Sequence, residues 1–95
     1  MIYSVSSELY REAAVRLTEA AGGAGYFSGS LGFRFAEAEC RLTASVILYR
    51  RTERLPEGDC EVVADLVPVW WEFRTVVDGE ERLNDFSFDE LRRTL

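Results

Sequence analysis

The feature that most limits the fold is a change of hydrophobic period near residue 25, from helical spacing before it to a spacing of two after it. Upstream, Leu9, Ala13, Leu17 and Ala20 recur three or four residues apart. Tyr10, Ala14 and Ala21 lie beside them, and Glu8, Arg11, Glu12, Thr18 and Glu19 take the other faces. A helix brings residues at that spacing to one side, so residues 7 to 21 are predicted to form an amphipathic helix. Ser6 or Ser7 can cap its free amides, and Glu8 suits its N-terminal dipole. Glu12 can pair with Arg16 one turn on, and Gly22 permits a left-handed end.

Beyond Gly22-Gly23-Ala24-Gly25 the side chains alternate. Phe27, Leu31, Phe33 and Phe35 fall on one face and Tyr26, Ser28, Ser30, Gly32 and Arg34 on the other, which predicts a strand over 26 to 37. Cys40, Leu42, Ala44, Val46 and Leu48 alternate with Glu39, Arg41, Thr43, Ser45, Ile47 and Tyr49, predicting a second strand over 39 to 51. Leu55-Pro56-Glu57-Gly58-Asp59 supplies a turn between antiparallel neighbours. From 61 to 77 the pattern is again that of a strand, but it slips: Val62, Ala64 and Leu66 share one parity, Val67, Val69, Trp71 and Phe73 the other. Val67-Pro68 marks the slip, since proline cannot donate to a ladder and sits at bulges or edges. Asp78-Gly79 is a hairpin turn with a short return over 81 to 85, and Ser87 with Glu90 matches a capping box opening a short helix through Leu91 and Leu95.

These elements define an α+β fold: an N-terminal amphipathic helix on a four- to five-stranded antiparallel meander, closed by a short C-terminal helix. The optional fifth strand is Met1 to Val5, where Ile2, Tyr3 and Val5 favour extended structure. With it, the order resembles the cystatin-like arrangement of a sheet wrapped around one helix. The resemblance concerns topology alone, because the inhibitory Gln-x-Val-x-Gly loop of cystatins requires glutamine and this chain has none. At 95 residues the chain is expected to form one domain, 1 to 95, around one core.

Composition excludes several functions. Eleven basic against 17 acidic residues give a formal charge of -6, which disfavours nucleic acid and anionic membranes as partners. Every basic residue is arginine, and there is no histidine or lysine. Imidazole bases, Ser-His and Cys-His pairs, Schiff bases and the common zinc sites therefore have no residues to use, and no cofactor is implied. Cys40 and Cys60 form no CxxC pair and are expected to be free, packed thiols. The N-terminus has neither a basic leader nor an apolar run of signal-peptide length, and no stretch is long and apolar enough to span a membrane, so a cytoplasmic location is expected.

The strongest functional indication is the second sheet face. Parity assigns it Tyr26, Ile47, Tyr49 and Trp70 among Arg34, Arg41, Glu72 and Arg74, and aromatic and arginine side chains are those that interfaces favour. The expected role is a noncatalytic protein-interaction or regulatory domain, with a protein partner or a second copy of the chain on that face. Two structural readings compete: the slip could turn Trp70 inward and Trp71 outward, or the C-terminal helix could cover the face. A second functional class is a small-molecule pocket between helix and sheet, lined by Phe27, Phe33, Phe35 and Trp71. Catalysis would have to fall on Glu72 and Asp65 as an acid-base pair or on Cys40 as nucleophile, and no motif supports either. Arg50, Arg51 and Arg54 lie among Glu53, Glu57, Asp59 and Glu61, which indicates an internally paired tip. Asp78, Glu80, Glu81 and Asp85 lack the spacing of a calcium loop.

Overall fold

A computed structural model describes residues 2–95. The order is α1 (Ser7–Ala21), β1 (Tyr26–Phe35), β2 (Ala38–Leu55), β3 (Gly58–Val77), β4 (Glu80–Arg82) and α2 (Phe88–Arg92). The strands form one antiparallel sheet in the order β1-β2-β3-β4, the expected meander.

Helix α1 forms where the periodicity places it. Ser6 Oγ accepts the Leu9 amide at 3.2 Å, Glu12 pairs with Arg16 at 2.6 Å, and Gly22 ends the helix at φ 58°. Leu9, Tyr10, Ala13, Ala14 and Leu17 are buried in it, whereas Ala20, expected on the apolar stripe, is exposed beside β1. These side chains meet Phe33, Cys40, Leu42, Ala44, Val46, Leu48, Leu66 and Phe73 from the sheet and Phe86, Phe88 and Leu91 from the C-terminal segment in one cluster. Burying a side chain such as Leu42 or Leu9 contributes roughly 1.5–3 kcal/mol relative to leaving it exposed.

Both long strands outrun the expected limits. Since Tyr26 pairs with Ile47, β2 beyond Leu48 and β3 before Leu66 have no third strand beside them and project as a two-stranded arm. That arm accounts for the elongated 47 × 26 × 19 Å shape. Beyond Arg50, β2 continues with the charged and polar residues Arg51, Thr52, Glu53 and Arg54, so its hydrophobic periodicity ends before the strand does.

Strand β3 carries two irregularities where one was expected. Ser45 pairs with Trp70 and Val46 with Pro68, so Val69 bulges out and is 67% exposed. Tyr49 pairs with Asp65 and Arg50 with Val63, so Ala64 is a second extra residue. The expected parities are corrected accordingly. Val67 shares a row with Ile47, not with Phe73, and Val63 rather than Val62 packs against the core. Each bulge absorbs one residue and exchanges the faces of everything on its far side.

The turns follow their chemistry. Asp78 and Gly79 both have positive φ, 53° and 78°, as a primed hairpin turn requires. Ala36, in the β1–β2 turn that replaces the expected end of the first strand, also has positive φ, 51°. At the C-terminus Ser87 is the N-cap residue of α2 but makes no side-chain cap, and its amide donates to Tyr10 Oη at 3.0 Å. The expected N-terminal strand is reduced to a bridge between Tyr3 and Asn84, with the Tyr3 amide donating to Leu83 O at 2.6 Å. Met1 lies outside the described residues.

Candidate functional site

The seven residues expected at an interface, Tyr26, Arg34, Ile47, Tyr49, Trp70, Glu72 and Arg74, all occupy rows of the sheet face opposite the buried parity. The register sets Tyr26, Ile47 and Val67 side by side, then Ser28, Ser45 and Trp70, then Ser30, Thr43 and Glu72, then Gly32, Arg41 and Arg74. Alternation within β2 fixes the sense of the face: Cys40, Leu42, Ala44, Val46 and Leu48 are buried, so their odd-numbered neighbours point the other way.

The face is graded along the strands. At the arm end lie Tyr49, Trp70 and Tyr26, each just over half exposed at 53%, 53% and 52%, around half-buried Ile47 and Val67. In the middle, hydroxyls bridge β1 and β2, Ser28 to Ser45 at 3.0 Å and Ser30 to Thr43 at 2.7 Å. At the far end Arg34 pairs with Glu39 at 3.5 Å, and Arg74 pairs with Glu72 and, at 3.4 Å, with Glu81. The Glu72 hydrogen bond and charge hold Arg74 above the ordinary arginine range. Arg41 lies over Gly32 and forms no ion pair among the described residues. A shallow depression of about 510 Å³ is lined here by Arg34, Glu39, Arg41, Arg74 and Glu81.

The open choice between the two indoles is settled by the bulge at Val69. Trp70 stays on the outer face. Trp71, 37% exposed, turns toward the C-terminal segment, with its ring 5.3 Å from Phe86 and 6.3 Å from Phe88. Helix α2 lies in the same buried cluster as α1 and does not cover the outer rows. Exposed Val69 and half-buried Val67 are the apolar side chains away from the core that periodicity missed, because both belonged to the buried parity until the bulge was placed.

The other candidates are drawn into structural contacts. Asp65 receives both Nε and an Nη of Arg92, at 2.9 and 2.8 Å, and the Leu66 amide at 2.8 Å. The Arg92 hydrogen bonds hold its carboxyl below the usual carboxylate range. Cys40 is buried, and burial pushes its thiol up to about 11; Cys60 is exposed on the arm, not packed as expected. Phe33 is buried beneath the Arg16 guanidinium at 5.1 Å, and Phe27 and Phe35 pack half-buried against the core. In the arm, Arg51 pairs with Glu53 at 3.1 Å while Arg50 reaches back to Gly22 O at 2.6 Å. The acidic group disperses: Glu80 pairs with Arg82, Glu81 with Arg74, and Asp85 accepts the Val5 amide. Among the described residues, no three metal-ligating side chains come together.

No protein family, no curated protein and no solved structure matches this chain. None of the helices among the described residues is long and apolar enough to cross a membrane.

Proposed function

We propose that this chain is a noncatalytic protein-interaction domain whose outer sheet face is the contact surface, with Tyr49 and Trp70 as anchors and Arg34 and Arg74 as orienting charges. The observation that carries this reading is the clustering of three half-exposed aromatic rings at one end of a face whose other end holds Arg41 and Arg74 in one row and Arg34 in the next. Aromatic rings supply large contact area with few rotatable bonds, and a charged rim sets orientation more than affinity. The acidic net charge favours a protein over a polyanion as partner.

The test is quantitative co-purification from the native host with the wild-type chain, Tyr49→Ala and Trp70→Ala as baits, each checked for fold by circular dichroism. A protein retained by the wild type and lost with both variants is the expected result. Identical recovery by all three baits would reject the assignment.

A further inference from the structure

We propose that the free edge of β1 is the docking site for a second copy of this chain, joined strand to strand about a two-fold axis at Ser30. This surface is the edge of the sheet; it shares Tyr26 and Arg34 with the outer face proposed above and leaves Tyr49, Trp70 and Arg74 of that face open.

The free backbone groups of β1 follow from its pairing phase with β2. The Leu48 amide donates to Gly25 O at 2.9 Å, and Gly25 and Leu48 continue the β1–β2 register. Bonded pairs alternate in an antiparallel ladder, so Phe27, Gly29, Leu31, Phe33 and Phe35 direct their amides and carbonyls to β2. Those of Tyr26, Ser28, Ser30, Gly32 and Arg34 point outward, and no other backbone bond reaches them among the described residues. The two-residue turns on either side, closing at Phe35/Ala38 and Val77/Glu80, fit the same phase.

The remaining open edges of the sheet carry devices that discourage strand addition. Beyond β4, β3 has bulges at Val69 and Ala64, Pro68 between them, the Asn84 side chain on Phe73 O at 2.9 Å, and Arg92 of α2 docked on Asp65. The unpaired length of β2 carries Arg50, Arg51, Glu53 and Arg54. Charge, proline, bulges and covering side chains are how edges are ordinarily blunted. Strand β1 has ten residues, an unbroken register, no proline and one charge, Arg34.

A second copy fits this edge because the edge is complementary to itself. Centring the two-fold on Ser30 uses the whole strand and makes all five outward residues bonded pairs, about ten inter-strand hydrogen bonds. It sets Tyr26 opposite Arg34 of the other copy, an aromatic-guanidinium pair formed twice, and Phe27 opposite Phe33 on the helix side. A centre at Gly29 or Leu31 strands Arg34 or Tyr26 beyond the paired region. Beside this edge runs a groove of about 420 Å³ lined by Arg16, Glu19 and Ala20 of α1 and by Ser30, Leu31 and Gly32. Its rim has one charge of each sign, so apposing two copies brings no net repulsion there although the whole chain carries -6.

Sedimentation velocity on the wild type, Ser30→Pro and the face variant Trp70→Ala tests this. A proline at 30 removes an outward amide and leaves every β1–β2 backbone bond intact, losing only the exposed Ser30–Thr43 hydroxyl contact, so a folded monomer is expected, while Trp70→Ala remains dimeric. If Ser30→Pro does not fold, cysteine pairing decides. In a Cys60→Ser background, Ser30→Cys meets itself across the axis and should form a disulfide-linked dimer under mild oxidation, whereas Ser28→Cys, facing Gly32 of the other copy, should not. A monomeric wild type at high micromolar concentration, a dimer that survives Ser30→Pro, or equal cross-linking at 28 and 30 would overturn the edge. A dimer lost with Trp70→Ala but kept with Ser30→Pro would instead assign self-association to the outer face.

Discussion

Phe73 and Trp70 lie three residues apart on β3 and face opposite ways, so truncating each should produce sharply different losses of stability. Phe73 is 7% exposed, pairs in register with Leu42 and stacks on Phe86 with ring centres 4.2 Å apart and planes at 14°. Emptying such a site costs about 3–5 kcal/mol, because the cavity left behind refills only partly. Unfolding entropy of about 2.1 cal/mol/K per residue gives this chain roughly 0.2 kcal/mol/K, so Phe73→Ala should lower Tm by about 15–25 °C. Trp70, 53% exposed, lies outside that cluster, and its truncation should cost at most about 1 kcal/mol, or about 5 °C. Total stability for a chain of this size is about 5–14 kcal/mol, so a loss of this size is a large share of the whole and should show in urea as an early or absent transition as well as in thermal melting. Equal losses for the two variants, or a larger one for Trp70→Ala, would refute the placement of the bulge at Val69 and with it the face assignment.

Three further outcomes follow from local geometry. Ala36 sits at φ 51°, where an L-residue costs roughly 1–2 kcal/mol, so Ala36→Gly should stabilise by a net ~0.5–1 kcal/mol in urea titrations after the greater freedom of glycine in the unfolded chain; Gly79→Ala, at φ 78°, should do the reverse. A thiol reagent at neutral pH should modify Cys60 in the native protein and Cys40 only on unfolding, read as one against two equivalents by mass, since Cys40 is buried and its thiol is pushed up to about 11. Asp65 has a depressed carboxyl, so its pairing with Arg92 stabilises the fold above the unfolded carboxylate value of about 3.9 and is lost as pH falls through the lower folded value. Melting wild type and Asp65→Asn across pH should therefore show a deficit for the variant at pH 7 that narrows under acid, and a pH-independent difference would contradict the ion pair.

The fold was legible wherever burial had one period. Helix α1 was bounded to the residue because a cap, an apolar stripe and a glycine stop coincide. The outer-face residues on β1 and β2 were equally readable, since Leu42, Val46 and Leu48 alternate without interruption. What periodicity could not read was backbone that makes its hydrogen bonds without burying a face. The arm beyond Arg50 is one such case. The Ala64 bulge is another, since neighbouring Val62 and Val63 are equally apolar and either parity fits. Pro68 announced the other bulge, but only the pairing identifies Val69 as the extra residue. The reciprocal half of the α2 capping box is pre-empted by tertiary and local contacts: the Ser87 amide that Glu90 would accept donates to Tyr10, and Glu90 pairs with Arg93.

The most direct measurement of the central claim, that the outer face binds a protein, is the affinity of a co-purified partner for the wild type, Trp70→Ala and the helix-side variant Val63→Ala, by titration calorimetry on folded samples. Truncating an aromatic anchor commonly costs about 2 kcal/mol or more, so Trp70→Ala should raise Kd by roughly 30-fold while Val63→Ala leaves it nearly unchanged. A Kd for Trp70→Ala within about threefold of the wild type, under 1 kcal/mol, would contradict the claim.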